Sequence, residues 1–104
     1  MTTQQLLDSL HKTYDEGVGI VYNKNRDYAK ETDAFKNFRF SELVEVSPAR
    51  AILVRVSDKL ARVSNLLDRP NAVVDEKITD TLIDMINYLA ILKAFLEEEN
   101  GKQK

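Results

Sequence analysis

The chain has 104 residues, which is enough for a single domain with one modest core. Its 15 basic and 17 acidic side chains nearly balance, so we expect no direct binding of nucleic acid and no attraction to anionic membranes. Cysteine is absent and histidine occurs once, which excludes disulfides, thiol chemistry, cysteine-ligated metal centres and multi-histidine metal sites. Any bound metal would have to be a hard cation held by oxygen atoms.

The first predicted helix runs from Thr2 to about Tyr22. Thr2 and Gln5 have the spacing of a capping box, in which each residue satisfies a backbone N–H of the other. Gly17 and Gly19 weaken the second half of this helix, because glycine disfavours the helical state. One helical stripe carries the apolar side chains Leu7, Leu10, Tyr14, Val18 and Val21.

The segment Asn23 to Ala34 is polar and has no apolar periodicity, so we predict a loop or a frayed helix end. Loops present side chains to ligands without serving the core, and Asn25, Asp27 and Tyr28 are candidates for that role. The following aromatic residues are spaced for one short helical turn. We interpret them mainly as packing residues, with stacking on a base as the alternative reading; they are Phe35 and Phe38.

A second long helix is predicted from Ser47-Pro48 to about Asp68. Serine is a favoured N-cap, and proline fits the first helical turn, where its missing N–H has no partner to lose. The apolar face consists of Ile52, Val56, Leu60, Val63 and Leu67. The polar face consists of Arg55, Asp58, Lys59, Arg62 and Asn65.

The last predicted helix begins after Asp75, a possible N-cap, and ends near Asn100-Gly101. It is apolar around most of its circumference, which is typical of a buried helix. One narrow stripe is polar and carries Glu76, Asp80, Asp84 and Asn87. Buried carboxylates are rare unless they are paired, hydrogen-bonded or bound to metal, so something must meet these side chains.

Together these elements predict an all-α fold, a small helical bundle of three main helices and one short helix, within a single domain spanning 1–104. We expect residues 97–104 to form a frayed or disordered tail. Three helices can hardly cover so apolar a last helix, so we expect the bundle to be completed by association into a dimer or tetramer. No signal peptide or membrane span is evident, and we expect a cytoplasmic protein.

The polar stripes of the two long C-terminal helices could face each other, and two interpretations follow. In the first, they form a buried ion-pair network in which Arg55 and Arg62 meet Asp84 and Asp80. Asn87 would then satisfy whatever polar group remains.

In the second interpretation, the stripes form a ligand site. Asp80 and Asp84, with Glu76 or Asp58, would bind Mg²⁺, because carboxylates one helical turn apart can share a hard cation. The opposing side chains would hold phosphate oxygens, and these are Arg55, Lys59 and Arg62.

Four motifs in fixed order make a more specific pattern than any single residue. They are K-N-x-D-Y and A-F-x-N-F within Lys24 to Phe38, R-x-S-D-K-x-x-R-x-x-N-L within Val54 to Leu67, and D-E-x-x-x-D-T-L-x-D-x-x-N-Y within Val74 to Leu92. In this order they resemble the phage and prophage family called nucleotide modification associated domain 1. The resemblance implies a role in viral nucleotide metabolism or DNA modification inside a bacterial host. Five residues of these motifs become further candidates for substrate binding: Lys24, Asn37, Asn65, Asn87 and Tyr88.

The helical plan is also similar to that of the MazG-like all-α nucleoside triphosphate pyrophosphohydrolases, whose acidic helices bind Mg²⁺. The stripe of Asp80, Asp84 and Asn87 looks like the second acidic helix of that group. An E-x-x-E pair is expected on the preceding helix, but bases and a single acid stand there instead: Arg55, Asp58, Lys59 and Arg62.

Three functional hypotheses follow. The first is a protein that binds a nucleotide or a nucleotide-like small molecule; if it is an enzyme, it hydrolyses at the α-phosphate with Asp80 and Asp84 on magnesium. The second is a non-catalytic protein that sequesters a nucleotide or contacts a host protein. The third is a structural oligomeric module. The sequence leaves open whether the protein is an enzyme.

Overall fold

The computed structural model describes the backbone of residues 1–26, 33–69 and 76–102, and the side chains of 1–24, 33–69 and 78–102. Over these ranges the chain is helical and has no strand, which confirms the all-α prediction. The α-helices are α1 (Thr3–Arg26), α2 (Lys36–Arg39), α3 (Pro48–Leu67) and α4 (Glu76–Lys102). A 3₁₀ helix, Phe40–Val44, follows α2 directly.

The capping box at the start of α1 is confirmed. The Gln5 N–H donates to Thr2 Oγ1 at 3.1 Å, and the Thr2 N–H donates to Gln5 Oε1 at 2.8 Å. The helix continues to Arg26, past the end predicted at Tyr22. Gly17 is buried where α1 meets α4, and this tertiary contact outweighs the low helix propensity of the glycine.

The helices α3 and α4 form an antiparallel pair. Val63 and Leu66 near the end of α3 pack with Ile78 near the start of α4, while Lys59 in the middle of α3 pairs with Asp84. The predicted start of α3 is confirmed, since Ser47 Oγ accepts from the Arg50 N–H at 3.2 Å. Its end at Leu67 also matches the prediction. The predicted cap at Asp75 lies outside the described residues.

The predicted aromatic turn is confirmed, and it lies on α4. Phe35 packs edge-to-face on Phe95 with ring centroids 5.4 Å apart. Phe38 packs edge-to-face on Tyr88 at 6.4 Å. The 3₁₀ helix ends at Glu45, whose φ of 61° is left-handed. Of the predicted loop before this turn, 23–26 belong to α1 and 27–32 lie outside the described residues.

The α4 helix reaches Lys102, slightly beyond its predicted end near Gly101, and the residues 97–102 of the expected tail are helical. Arg39 lies 3.6 Å from Glu98 and 4.0 Å from Glu99, and these contacts hold the end of α4 against α2. No helix in the described ranges has the length and apolar character needed to cross a bilayer. Among the described side chains, the fully packed apolar residues are few: Ile52, Val63, Leu66, Ile78 and Phe95.

Candidate functional site

A cavity of about 720 Å³ lies where α1, α2, α3 and α4 meet. Ligand pockets commonly have volumes of roughly 300–1,000 Å³, so this cavity can hold a molecule of cofactor or nucleotide size. Its apolar wall is formed by Ile20, Val21, Ala34, Ile91 and Ala94, and its aromatic wall by Phe35, Phe38 and Tyr88. Its polar lining is formed by Asn23, Lys24, Asn37, Arg55, Asp84 and Asn87.

The charged groups of the lining favour an anion. Lys24 from α1 and Arg55 from α3 supply two positive charges, and Asp84 is the acid among the described lining residues. The Asp84 carboxylate is already compensated, because Lys59 Nζ lies 3.2 Å from its Oδ2. The cavity therefore presents a net positive surface on which phosphate or carboxylate oxygens can bind.

Asn87 connects α4 to α1 at the edge of the cavity. Its Nδ2 donates a hydrogen bond to the Gly17 carbonyl oxygen at 3.1 Å. A Cβ at position 17 would lie only 2.7 Å from Asn87 Oδ1, so any side chain there would force the Asn87 amide to move. The side-chain amide is thereby fixed in orientation before any ligand binds.

The α2 segment, residues 33–39, is held in place by Arg39 and carries the lining residues Ala34, Phe35, Asn37 and Phe38. The Arg39 Nε donates to Asp33 Oδ2 at 2.6 Å, and its guanidinium carbon lies 5.4 Å from the centroid of the Phe95 ring. This hydrogen bond, together with one from the Phe35 N–H, holds the pKa of Asp33 below its ordinary value. The same pairing raises the pKa of Arg39. We call the contacts of Arg39 with Asp33 and with the Phe95 ring the Arg39 clamp. The clamp holds the segment from which Phe35, Asn37 and Phe38 line the cavity.

The structure brings together part of the predicted site. Six predicted residues line the cavity: Lys24, Asn37, Arg55, Asp84, Asn87 and Tyr88. Lys59 is adjacent through its ion pair with Asp84. Four others are exposed and do not belong to the lining, namely Asp58, Arg62, Asn65 and Asp80. The remaining predicted positions lie outside the described side chains: Asn25, Asp27, Tyr28 and Glu76.

The polar stripes of α3 and α4 meet only in part, through Lys59 and Asp84. This pair differs from the arginine–aspartate pairs of the ion-pair interpretation, because the partner of Asp84 is Lys59. Sequence reasoning did not assign Ile20, Val21 or Asn23 to the site, although α1 brings all three to the cavity. Val21 was interpreted as a packing residue of the apolar stripe, whereas the spacing of Ile20, Val21 and Lys24 on one helical face was an available signal.

The described residues around Asp84 do not include a cluster of three metal ligands. Within ranges 1–24, 33–69 and 78–102, no group of three or more acidic or histidine side chains could hold a metal ion. Asp80 is exposed, and the Lys59 ammonium group lies at one oxygen of the Asp84 carboxylate, Oδ2. Magnesium binding by Glu76, Asp80 and Asp84 stays a prediction.

Comparison with known proteins identifies the family. The model of a family described as nucleotide modification associated domain 1 matches residues 24–94, about two thirds of the chain. This range covers α2, α3, most of α4 and every cavity residue from Lys24 onward. No curated protein and no solved structure matches the chain significantly. The chain therefore belongs to the nucleotide modification associated domain 1 family.

Proposed function

We propose that this protein binds a nucleotide in the cavity between its four helices. One observation carries the proposal: a single cavity of about 720 Å³ combines an aromatic wall with a cationic rim and side-chain amides. A nucleotide has the matching three parts, which are a flat base, a polar sugar and an anionic phosphate. The description of the family, which refers to nucleotide modification, points to the same class of ligand.

The phosphate would bind on the cationic side of the cavity. Arg55 is exposed on α3 and free to extend, and its planar guanidinium can donate two parallel hydrogen bonds to phosphate oxygens. Lys24 approaches from α1 as a second positive charge. These two side chains come from different helices, so an anion bound between them would also draw α1 toward α3.

The base would bind on the aromatic side. Phe38 and Tyr88 are half-buried and already in edge-to-face contact, so their positions are largely set before a ligand enters. Stacking of a base on an aromatic ring contributes roughly 1–3 kcal/mol. Asn23 and Asn37 each carry a donor and an acceptor, which suits the polar edges of a base or the hydroxyl groups of a sugar.

Calorimetric titration with matched nucleosides, monophosphates and triphosphates tests this proposal. We expect the phosphorylated ligands to bind more tightly than the nucleosides. Arg55→Gln should weaken binding of the phosphorylated ligands by about tenfold or more, because a charged hydrogen bond contributes about 1.5–3 kcal/mol. Arg50→Gln is the matched control, since it removes the same charge from an exposed position in the first turn of α3. Absence of heat with every nucleotide would contradict the proposal.

Hydrolysis of the bound nucleotide is a second proposal, based on the place of Asp84 in the cavity wall with Asp80 one helical turn away. The substitution Asp84→Asn distinguishes the two proposals. If the protein is a magnesium-dependent pyrophosphohydrolase, the variant should lose release of monophosphate and pyrophosphate. If it only binds, the variant should bind phosphate several-fold more tightly, because Lys59 loses its partner and becomes available to the ligand.

We place this activity in the cytoplasm of a bacterial cell that carries a phage or prophage. The support for this setting is the sequence resemblance to phage members of the family, together with the nucleotide-type ligand that the cavity fits. Detection of the protein in the soluble fraction of lysed host cells would support the assignment, and its recovery with the membranes would contradict it.

A further inference from the structure

The face of α4 opposite the cavity carries a row of exposed leucines. Leu82, Leu89 and Leu96 lie at intervals of seven residues and are 43%, 48% and 49% exposed. We call these three residues the leucine ridge. Large apolar side chains are common singly on a protein surface, but a straight row of three on one helix is a contiguous apolar patch.

The spacing of the ridge is that of a coiled-coil seam. A seven-residue repeat keeps one line of a helix facing a partner helix over several turns. Met85 and Leu92 are half-buried and occupy the second apolar position of the same repeat, three residues after Leu82 and Leu89. The helix is 27 residues long, which corresponds to about 40 Å, so it offers a long and regular docking line.

From this geometry we infer that the leucine ridge of α4 packs against the same ridge of a second copy of this chain. A seam of identical residues is self-complementary about a two-fold axis, because each knob meets a hole formed by its own counterpart residues. Lys93 lies one helical turn after Leu89, and its ion pair with Glu97 stays within α4. These two charges therefore compensate each other beside the ridge.

The exposed area also fits a second copy. The chain exposes 8353 Å², whereas a compact monomer of 11.9 kDa exposes roughly 5,900 Å². Obligate homodimers bury roughly 1,000–2,500 Å² on each subunit. The excess of roughly 2,400 Å² belongs to the whole chain, and burial of about half of it, by the ridge together with the exposed side chains around it, would reach that range. This inference is independent of nucleotide binding, since the ridge and the cavity lie on opposite faces of α4.

Sedimentation equilibrium of the full chain at micromolar concentration tests the inference. We expect a mass of at least twice 11.9 kDa. Leu89→Glu should shift the protein to monomer while circular dichroism still shows a helical fold. Leu43→Glu is the matched control, because Leu43 is 82% exposed on the 3₁₀ helix, away from the ridge, and this variant should keep the assembly of the wild type. A wild-type monomer would overturn the inference and leave the ridge to a different protein.

Cross-linking supplies a second test that does not depend on a disruptive charge. The chain has no cysteine, so Leu89→Cys introduces a single thiol. Leu89 is the middle residue of the ridge, and it meets its own counterpart whether the two helices run parallel or antiparallel. We expect a short bis-maleimide to join two chains at Leu89→Cys but not at Leu43→Cys. Equal cross-linking at both positions, or none at Leu89→Cys, would overturn the assigned interface.

Discussion

The two ends of the α3–α4 pair differ in what lies between the helices. At one end, Val63, Leu66 and Ile78 form an apolar cluster with Met85 packed against it. At the other end, polar and aromatic side chains such as Arg55 and Tyr88 surround the cavity. The ion pair between Lys59 and Asp84 lies between the two ends.

From this difference we expect stability and the proposed nucleotide binding to depend on separate parts of the bundle. The apolar cluster closes α3 on α4 without contributing a cavity residue. The cavity end, in contrast, depends on elements that come from elsewhere in the chain: α1 through the Gly17–Asn87 contact, and α2 through Arg39. Substitutions at the two ends should therefore affect different measurements.

The largest effect on stability is expected for Leu66→Ala at the apolar end. Leu66 is 5% exposed, and removal of a buried leucine side chain costs about 2–5 kcal/mol in the free energy of unfolding. Its neighbour Leu67 is 59% exposed, so Leu67→Ala should change the same quantity by less than about 0.5 kcal/mol. Urea denaturation measures both. Equal losses would show that the cluster is not the stabilising end.

A smaller effect, of opposite sign at two neighbouring positions, is expected in α1. Gly17→Ala should destabilise the protein because its Cβ would displace the Asn87 amide. The Cβ added by Gly19→Ala would have no atom within 4 Å. This variant should stabilise the protein by up to about 1 kcal/mol, because alanine has the higher helix propensity. The unfolding free energies of the two variants should differ by about 1–2 kcal/mol. One contribution is the gain in helix propensity at position 19, and the other is the loss of the Asn87 hydrogen bond in Gly17→Ala.

The double variant Gly17→Ala/Asn87→Ala tests the cause of that difference. Removal of the amide also removes the clash, so Gly17→Ala should be tolerated better in this background than in the wild type. A penalty of the same size in both backgrounds would exclude the Gly17–Asn87 contact as the reason.

At the cavity end, Phe38→Leu should weaken nucleotide binding by about fivefold, because an aromatic contact contributes roughly 1 kcal/mol beyond the apolar area it buries. Phe40→Leu makes the same change two residues later, at a side chain that is 57% exposed and outside the cavity lining, and should leave affinity unchanged. Calorimetry with one nucleotide compares the two variants. Loss of affinity in both would point to a general effect on the α2 segment.

The smallest effect is expected at Asp33, and it depends on pH. The Arg39 hydrogen bond lowers the Asp33 pKa in the folded protein. Ionised Asp33 therefore stabilises the fold at pH values above 3.8, the ordinary pKa of this side chain. That stabilisation is lost as pH falls below 3.8 and through the folded pKa. Asp33→Asn should therefore lower the melting temperature at neutral pH and have no effect in strong acid. An unchanged melting temperature at neutral pH would show that the clamp contributes nothing.

Local signals in the sequence predicted the helices well. The capping box at Thr2 and the Ser47-Pro48 start each depend on residues within one turn, and the observed helices begin accordingly. The end of α1 was misjudged because the residues after Tyr22 are polar and have no apolar periodicity. The role of Gly17 within α1 depends on Asn87, which is 70 residues away in sequence, and local propensity carries no information about such a contact.

The candidate site was predictable only in part, for a similar reason. Helical phase placed Arg55 and Asp84 on polar stripes, and both line the cavity. Phase alone could not show which residues of each stripe would face the partner helix, and Arg62 and Asp80 turn out to be exposed. The aromatic wall requires knowledge of where α2 packs, which is set by Phe35 on Phe95 and by the Arg39 clamp.

The most direct test of nucleotide binding is a titration of the ¹⁵N-labelled protein with a deoxynucleotide, followed residue by residue by NMR. We predict chemical-shift changes at Asn37, Phe38, Asn87 and Tyr88, which line the cavity. We predict no change at Leu82 on the opposite face of α4. Unchanged spectra at millimolar nucleotide, or changes confined to residues outside the cavity, would contradict the proposed binding in this cavity.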